Sequence, residues 1–314
     1  MPGITGQGLT FNLPNYVGEI FSVTPTDTPF LSAIGGLTGG ESVSAPQFQW
    51  QGYDLRDPSQ NTRIEGADAP DAENRVRFNV SNVVEIHQET VDVSYTKQAA
   101  TGLHSGLNIA GSNPVTNELD WQIQQMLKQV ARDIEYSFIQ GTYQNPVDNT
   151  TPRKTRGILE AIETNVVTNA TPAEMTETMV LDLMQDVWDN GGIQEQETAT
   201  VVVNSTQKRK LTKIFITDKG YTEESRTVGG VNVQTIETDF GRLNIMLNRY
   251  MPQDQLAVVS LEECAPRFLL IPNKGFLFIE PLAKTGATDK SQIYGEVGLK
   301  YGNEKAHGKI TGLL

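Results

Sequence analysis

Side chains able to donate, attack or ligate are few and scattered in this chain of 314 residues. The three histidines, His87, His104 and His307, lie far apart and none falls in a metal-binding spacing such as H-E-x-x-H, so each reads as an ordinary polar residue. Cys264 is the only cysteine, which removes internal disulfides and thiolate zinc sites together. Glu262-Glu263 could suggest acid–base work, but neighbours on a strand face opposite sides and cannot share a substrate unless they lie in a turn. No Gly-Lys-Ser/Thr triplet occurs, so a phosphate-binding loop is missing. In Gly102-Leu103-His104-Ser105-Gly106 the serine stands one position late for a nucleophile elbow. Four Asn-x-Ser/Thr sequons, at Asn79, Asn149, Asn169 and Asn204, predict nothing without an export signal. No catalytic residue, metal ligand or cofactor is expected.

Charge narrows the field further. The formal net charge is −13, and more than half of the imbalance lies in residues 1–96, which hold 12 acids and 4 bases. Such a chain does not bind duplex DNA by neutralising phosphates, because that requires clustered Lys and Arg. The one dense basic cluster, Lys208-Arg209-Lys210 with Lys213, reads as the solvated face of a short helix rather than a nucleic-acid patch. Arg153-Lys154-Thr155-Arg156 reads as a loop, where contact with a neighbouring acidic surface competes with plain solvation.

The longest apolar runs are four residues, as in Phe268-Leu269-Leu270-Ile271, against about 20 for a bilayer span. The first basic side chain is Arg56, so the charged start of a signal or transit peptide is missing and a cytosolic protein is expected. With 38% hydrophobic and 20% charged residues the chain falls in the globular range, and its length suggests about two domains.

The elements that must position these residues follow from periodicity. Residues 1–40 hold eight glycines, four prolines and six threonines among scattered apolar anchors, too little to fold alone, and read as a reaching arm. A helical turn or two is expected over 16–21, with Thr24-Pro25 and Thr28-Pro29 interrupting it. From 41 to 97 the period becomes two. Phe48 and Trp50 alternate with glutamines, and Val76, Phe78, Val80, Val84 and Ile86 share a parity. The parity then shifts to Val91, Val93 and Tyr95, predicting a bulge or turn near 87–90. Around the polar stretch 53–74 these strands predict a long two-stranded projection, marginal unless laid on something else.

The clearest helix runs over 117–140, with Leu119, Ile123, Met126, Leu127, Val130, Ile134 and Phe138 at spacings of three and four and Gly141 as the stop. A second is expected over about 178–190, with Met179, Val180, Leu183, Met184, Val187 and Trp188 inward and Gly191-Gly192 as terminator. Its start is open, since Thr171-Pro172-Ala173-Glu174 has capping-box spacing. Short strands are expected near 200–203, 231–235, 243–247, 257–260, 268–271 and 293–301. Without a regular βαβ rhythm the class is α+β. An α+β chain with a reaching arm, a reaching hairpin and no catalytic constellation suggests an assembly subunit.

The order of short motifs carries a resemblance. Thr28-Pro29-Phe30, Phe48-Gln49-Trp50-Gln51 with Asp54-Leu55, and Glu65-Gly66-Ala67-Asp68-Ala69 resemble the opening of the tailed-phage major capsid proteins related to that of phage SU-ten. Later segments are similar to the same family. They are Arg132-Asp133-Ile134-Glu135, Gly157-Ile158, Trp188 with Gly191-Gly192, Thr238-Asp239-Phe240-Gly241, Asn248-Arg249-Tyr250-Met251-Pro252, and Asn303-Glu304-Lys305-Ala306 through Gly312-Leu313.

This resemblance implies the Hong Kong 97-type capsid fold, with an N-terminal arm (1–40), an extended E-loop (41–97), a peripheral domain with the spine helix (98–164 and 282–314) and an axial domain (165–281). It implies a head protein that assembles as hexamers and pentamers into an icosahedral virion shell enclosing double-stranded DNA without sequence-specific binding. Assembly in the host cytoplasm is implied, with portal, scaffolding and possible decoration proteins as partners and no membrane. Phe48, Trp50, Val76, Phe78 and Val80 are the expected apolar E-loop face, and Arg56, Arg63, Arg75 and Arg77 are candidates for pairing with acids across a subunit boundary or for plain rim solvation. Some shells of this fold are locked by an isopeptide bond from an E-loop lysine, yet this chain has no lysine before Lys97. An encapsulin-type nanocompartment shell shares the fold and is the alternative. A cytosolic enzyme with an unrecognised site is the third reading.

Overall fold

A computed structural model describes residues 24–99, 117–148, 150–193, 199–218, 223–228, 231–238 and 240–314. In chain order the elements are α1 (Pro29–Ala33), β1 (Glu41–Val43), β2 (Gln47–Tyr53), β3 (Arg77–Val83), β4 (Glu85–Ser94), α2 (Tyr95–Ala99), α3 (Glu118–Gln140) and α4 (Ile158–Ala161). They continue through β5 (Val166–Ala173), α5 (Glu177–Asp189), β6 (Ala199–Val203), α6 (Ser205–Thr212), β7 (Glu223–Val228), β8 (Val231–Thr238), β9 (Gly241–Leu247) and β10 (Gln255–Ser260). The last four are β11 (Ala265–Leu269), β12 (Leu277–Pro281), β13 (Thr288–Lys300) and β14 (Gly308–Leu313).

Helix α3 forms where its 3.6-residue stripe predicts. Asn117 caps it by accepting from the Leu119 and Asp120 amides, and Gly141 ends it. Val130, Ile134, Phe138 and Ile139 are buried under the long strand β13 and helices α1 and α4. That strand pairs with β4 on one side and with β12 and β11 on the other, and β1 lies beyond β11. A seven-stranded sheet in the order β5-β14-β10-β6-β9-β8-β7 forms the second layer.

This second sheet is a wall shared by two cores. Val202, Met246, Ala257 and Val259 face the core under α3, while Val201, Val203, Ile245, Val258 and Ile310 face the core under α5 and α6. Residue-by-residue alternation sends each strand into both. Strands β11 and β12 belong to the first sheet and β14 to the second, so the chain crosses between layers more often than a two-block division suggests.

Several expectations are corrected. Pro29 begins α1, a helix the sequence did not announce, since its missing N–H costs nothing at the first helical position. Phe30, Leu31 and Ile34 are buried against the protein's own α3, so this part of the expected arm belongs to the body. The expected turn over 16–21, together with the rest of 1–23, lies outside the described residues, as does His104. No bulge occurs near 87–90, because β4 pairs with β13 without a break from Glu85↔Val297 to Ser94↔Thr288. The parity change falls at Val84, where the chain passes from hairpin to sheet and Val83 and Val84 are both buried. Trp188 is 57% exposed, since five residues beyond Leu183 it has rotated off the buried stripe of α5. Thr176 caps that helix, and Thr171-Pro172 lies in β5, a strand the sequence did not announce. Lys208 is buried, so the basic cluster is not wholly a solvated face. Glu262-Glu263 lies in a 3-10 turn. Among the described residues no helix is long and apolar enough to cross a membrane.

Candidate assembly surface

Strands β2 and β3 pair antiparallel from Gln47↔Val83 to Tyr53↔Arg77 and leave the body as a two-stranded hairpin. Opposite residues share a face, so Phe48, Trp50 and Gly52 stand beside Asn82, Val80 and Phe78. The base of this face is anchored on the protein itself. Trp50 Nε1 donates to the Gly302 carbonyl at 2.7 Å, and its ring meets Tyr301 edge-to-face with centroids 4.9 Å apart. Phe48 stacks on Trp50 at 6.0 Å and fills the space above Gly298, where a Cβ would come within 2.8 Å of the Phe48 ring. Val80 packs on the same core.

A buried amide pins the hairpin. Asn82 Nδ2 donates to the Leu299 carbonyl at 2.7 Å and the Arg156 carbonyl at 3.1 Å, while its Oδ1 accepts from the Arg156 amide at 2.8 Å and the Val83 amide at 2.9 Å. Both donors and both lone pairs are used. Burial pushes the Glu85 carboxyl up, but His87 at 2.9 Å, Ser137 and the Thr155 amide outweigh it and hold the group below its ordinary value. Arg153 pairs with the buried Glu296 at 2.8 Å, and Tyr294 donates to the same carboxylate at 2.8 Å. Burial and then Glu296 push the Tyr294 hydroxyl up to about 12. The loop cation Arg153 thus finds its acid within the chain.

Beyond this base the hairpin is bare. Residues 54–76 form no strand and are exposed throughout. Tyr53, Leu55, Ile64, Val76 and Phe78 are between 52% and 82% exposed, a run of apolar side chains facing solvent. The Phe78 ring lies over Gly52, where a Cβ would meet it at 2.5 Å. Arg56 donates to Ser59 Oγ and the Asp57 carbonyl, Arg75 pairs with Glu73 at 3.0 Å, and Arg77 donates to Gln51 Oε1 at 3.2 Å. Arg63 is exposed without a partner among the described residues.

The candidate residues therefore divide. Phe48, Trp50 and Val80 rest half-buried on their own body, while Phe78 and the four arginines stand on the outer part. Asn82, Glu85 and Tyr301 escaped the sequence reading, and the only available signal was a polar residue, Asn82, inside an apolar alternation.

The fold brings Glu263, Cys264 and His307 near one another around the 3-10 turn, with Glu263 acting electrostatically on both others, while His87 lies elsewhere beside Glu85. His307 is buried, accepts the Ser260 amide at Nδ1 (3.1 Å) and therefore donates from Nε2 to the Tyr301 carbonyl at 2.7 Å, and burial lowers its pKa. Burial raises the pKa of the Cys264 thiol. Glu263 accepts the Asn303 amide while Glu262 is exposed. No group of three metal-capable side chains occurs among the described residues.

The family model for the SU10 major capsid protein matches residues 3–314. The chain belongs to that family. It is a phage major capsid protein, a component of the virion shell, and its mixed α+β fold matches solved capsids. This capsid protein is 24% identical to the major capsid protein of Escherichia phage Phieco32, over 94% of this chain and 93% of that one. It is similar to the capsid of cyanophage A-1(L) at a TM-score of 0.67 and 10% identity, covering 100% of this chain and 99% of that one. The SrpI encapsulin complex of Synechococcus elongatus PCC 7942 also matches, at a TM-score of 0.59 and 12% identity over 96% and 92%. Identities this low show a shared fold alone. The family match separates the capsid reading from the encapsulin one.

Proposed function

We propose that this capsid protein assembles as hexamers and pentamers into a closed icosahedral shell around double-stranded DNA, with the outer hairpin of each subunit lying on a neighbour. The observation that carries the reading is the hairpin's asymmetry, a base fixed to its own body by Trp50 and Asn82 and an outer part whose apolar side chains have no cover. Burying Leu55, Ile64, Val76 and Phe78 on a second copy supplies a hydrophobic drive for association, and a stable contact needs roughly 1,000 Å². Arg56, Arg63, Arg75 and Arg77 pair with acids across that boundary.

In this reading the hairpin is the E-loop, α3 the spine of the peripheral domain together with β4, β11, β12 and β13, and α5, α6 and the seven-stranded sheet the axial domain. Assembly takes place in the host cytoplasm with portal, scaffolding and decoration proteins, and the chain has no catalytic role.

Electron microscopy of the expressed protein tests the proposal. Closed shells are expected from the full chain, and capsomers or monomers when residues 56–74 are replaced by a short glycine–serine turn. Intact shells from the shortened chain overturn the role of the hairpin. Particles filled with a cargo enzyme instead of DNA favour the compartment reading.

A further inference from the structure

The seven-stranded wall carries two helices whose outer faces have opposite charge. Helix α5 packs on β14 and β5, and α6 packs on β9, with β10 and β6 between them in the strand order. The chain around α5 is one-sided. Between Arg156 and Lys208 stand nine acids and no Lys, Arg or His. The cluster Lys208-Arg209-Lys210 with Lys213 follows at once.

On α5, Asp182, Asp186 and Asp189 recur at spacings of four and three, so they form one exposed stripe turned away from the buried Val180, Leu183 and Val187. The exposed Trp188 flanks that stripe in the last turn. No hydrogen bond or ion pair reaches the three carboxylates among the described residues, and the last turn of α5 carries no base. Like charges at this spacing repel, and Asp186 and Asp189 also stand at the negative end of the helix dipole. The isolated subunit gains nothing from such an arrangement. On α6, Lys208 is buried and Lys210 donates to the Leu314 carbonyl. That leaves Arg209 and Lys213 exposed, one helical turn apart and without an acid among the described residues.

We propose that the α5 face of one subunit seats on the α6 face of the next, with Asp182, Asp186 and Asp189 against Arg209 and Lys213 and a cation over the Trp188 ring. This contact rests on the ring assembly proposed above and names surfaces that meet inside a capsomer. The occupant is a second copy because the complementary charge is already in the chain and every copy brings both faces. They stand over different strands of one wall, so each subunit gives one face and accepts the other. Such a head-to-tail contact repeats until the ring closes.

Charge reversal in the full-length chain tests the contact. Asp182→Lys with Asp186→Lys, or Arg209→Glu with Lys213→Glu, sets like charges against each other and is expected to cut the yield of capsomers and shells about tenfold or more. The four changes together are expected to restore it, which a folding defect would not. Native yield from either pair, or no recovery in the combined variant, overturns the proposal and leaves these faces to solvent or to another partner. Cross-linking reads the same contact without altering a charge. Gln185 and Thr206 are exposed on the two faces, and Cys264 is buried. With a short bismaleimide, assembled subunits carrying both Gln185→Cys and Thr206→Cys are expected to form ladders, and either single variant to stay monomeric. Ladders missing from the double variant, or dimers from a single one, are equally fatal. A native chain that forms no particle sinks the ring assembly itself, whereas native particles with indifferent variants sink this contact alone.

Discussion

Replacing Trp50 with alanine is the sharpest perturbation of the hairpin's base. Three contributions are lost together. The indole N–H bond to the Gly302 carbonyl is worth about 1 kcal/mol. The edge-to-face contact with Tyr301 adds about 0.5–1.5 kcal/mol beyond its area. Half-burial of a side chain that covers roughly 200 Å² contributes about 2.5 kcal/mol at 25 cal/mol per Å². Relaxation of the vacated site recovers part of this, so a loss of about 3–4 kcal/mol is expected, within the range of about 3–5 kcal/mol for large aromatic truncations. Trp50→Phe keeps the ring contact and loses the hydrogen bond, so its loss is about 1–2 kcal/mol. Equilibrium urea unfolding of the unassembled subunit measures both. Limited proteolysis across 54–76 reports whether the hairpin has come off the body. If Trp50→Ala costs less than about 1 kcal/mol, or if both variants cost the same, the anchoring argument is wrong.

Other expectations follow from single residues. Reversing Arg75 and Arg77 to glutamate is expected to lower shell yield and salt resistance, and unchanged values would return both arginines to simple rim solvation. With no lysine before Lys97, assembled subunits boiled in detergent should migrate as monomers on a denaturing gel, whereas ladders would mean a covalent lock made by other chemistry. Glu85 has a folded pKa below its ordinary 4.5, so its contribution is present above about pH 4.5 and is lost as pH falls through the lowered value. Glu85→Gln is therefore expected to flatten the acid limb of stability against pH, measured by thermal unfolding between pH 3 and 6, and an unaltered limb would contradict the assignment.

The sequence was most readable where structure depends on near neighbours. The α3 helix falls within one residue of its expected start because a side-chain cap, a 3.6-residue stripe and a terminal glycine agree locally. The strands β2 and β3 follow from alternation in the same way. What escaped notice was decided by partners distant in sequence. Nothing near Glu135 marks it as the cap of a helix 104 residues upstream, and nothing near Asn82 announces Leu299, 217 residues downstream. Strand β6, expected near 200–203, is buried at all five positions because both of its faces meet a core, so a continuous apolar run marks it in place of a two-residue period. The direction in which Phe48 and Trp50 point was equally hidden, since alternation tells which residues share a face but not whose surface that face covers.

The shared wall carries a mechanical implication. Shifting one of its central strands by a single residue would turn every side chain toward the wrong interior, and a densely filled interior offers little slack. The two halves of the subunit are geared to each other and cannot swing about an internal joint. In the proposed shell, strain between neighbours therefore falls on the contacts between tiles and on their outriggers, because each tile lacks a joint of its own.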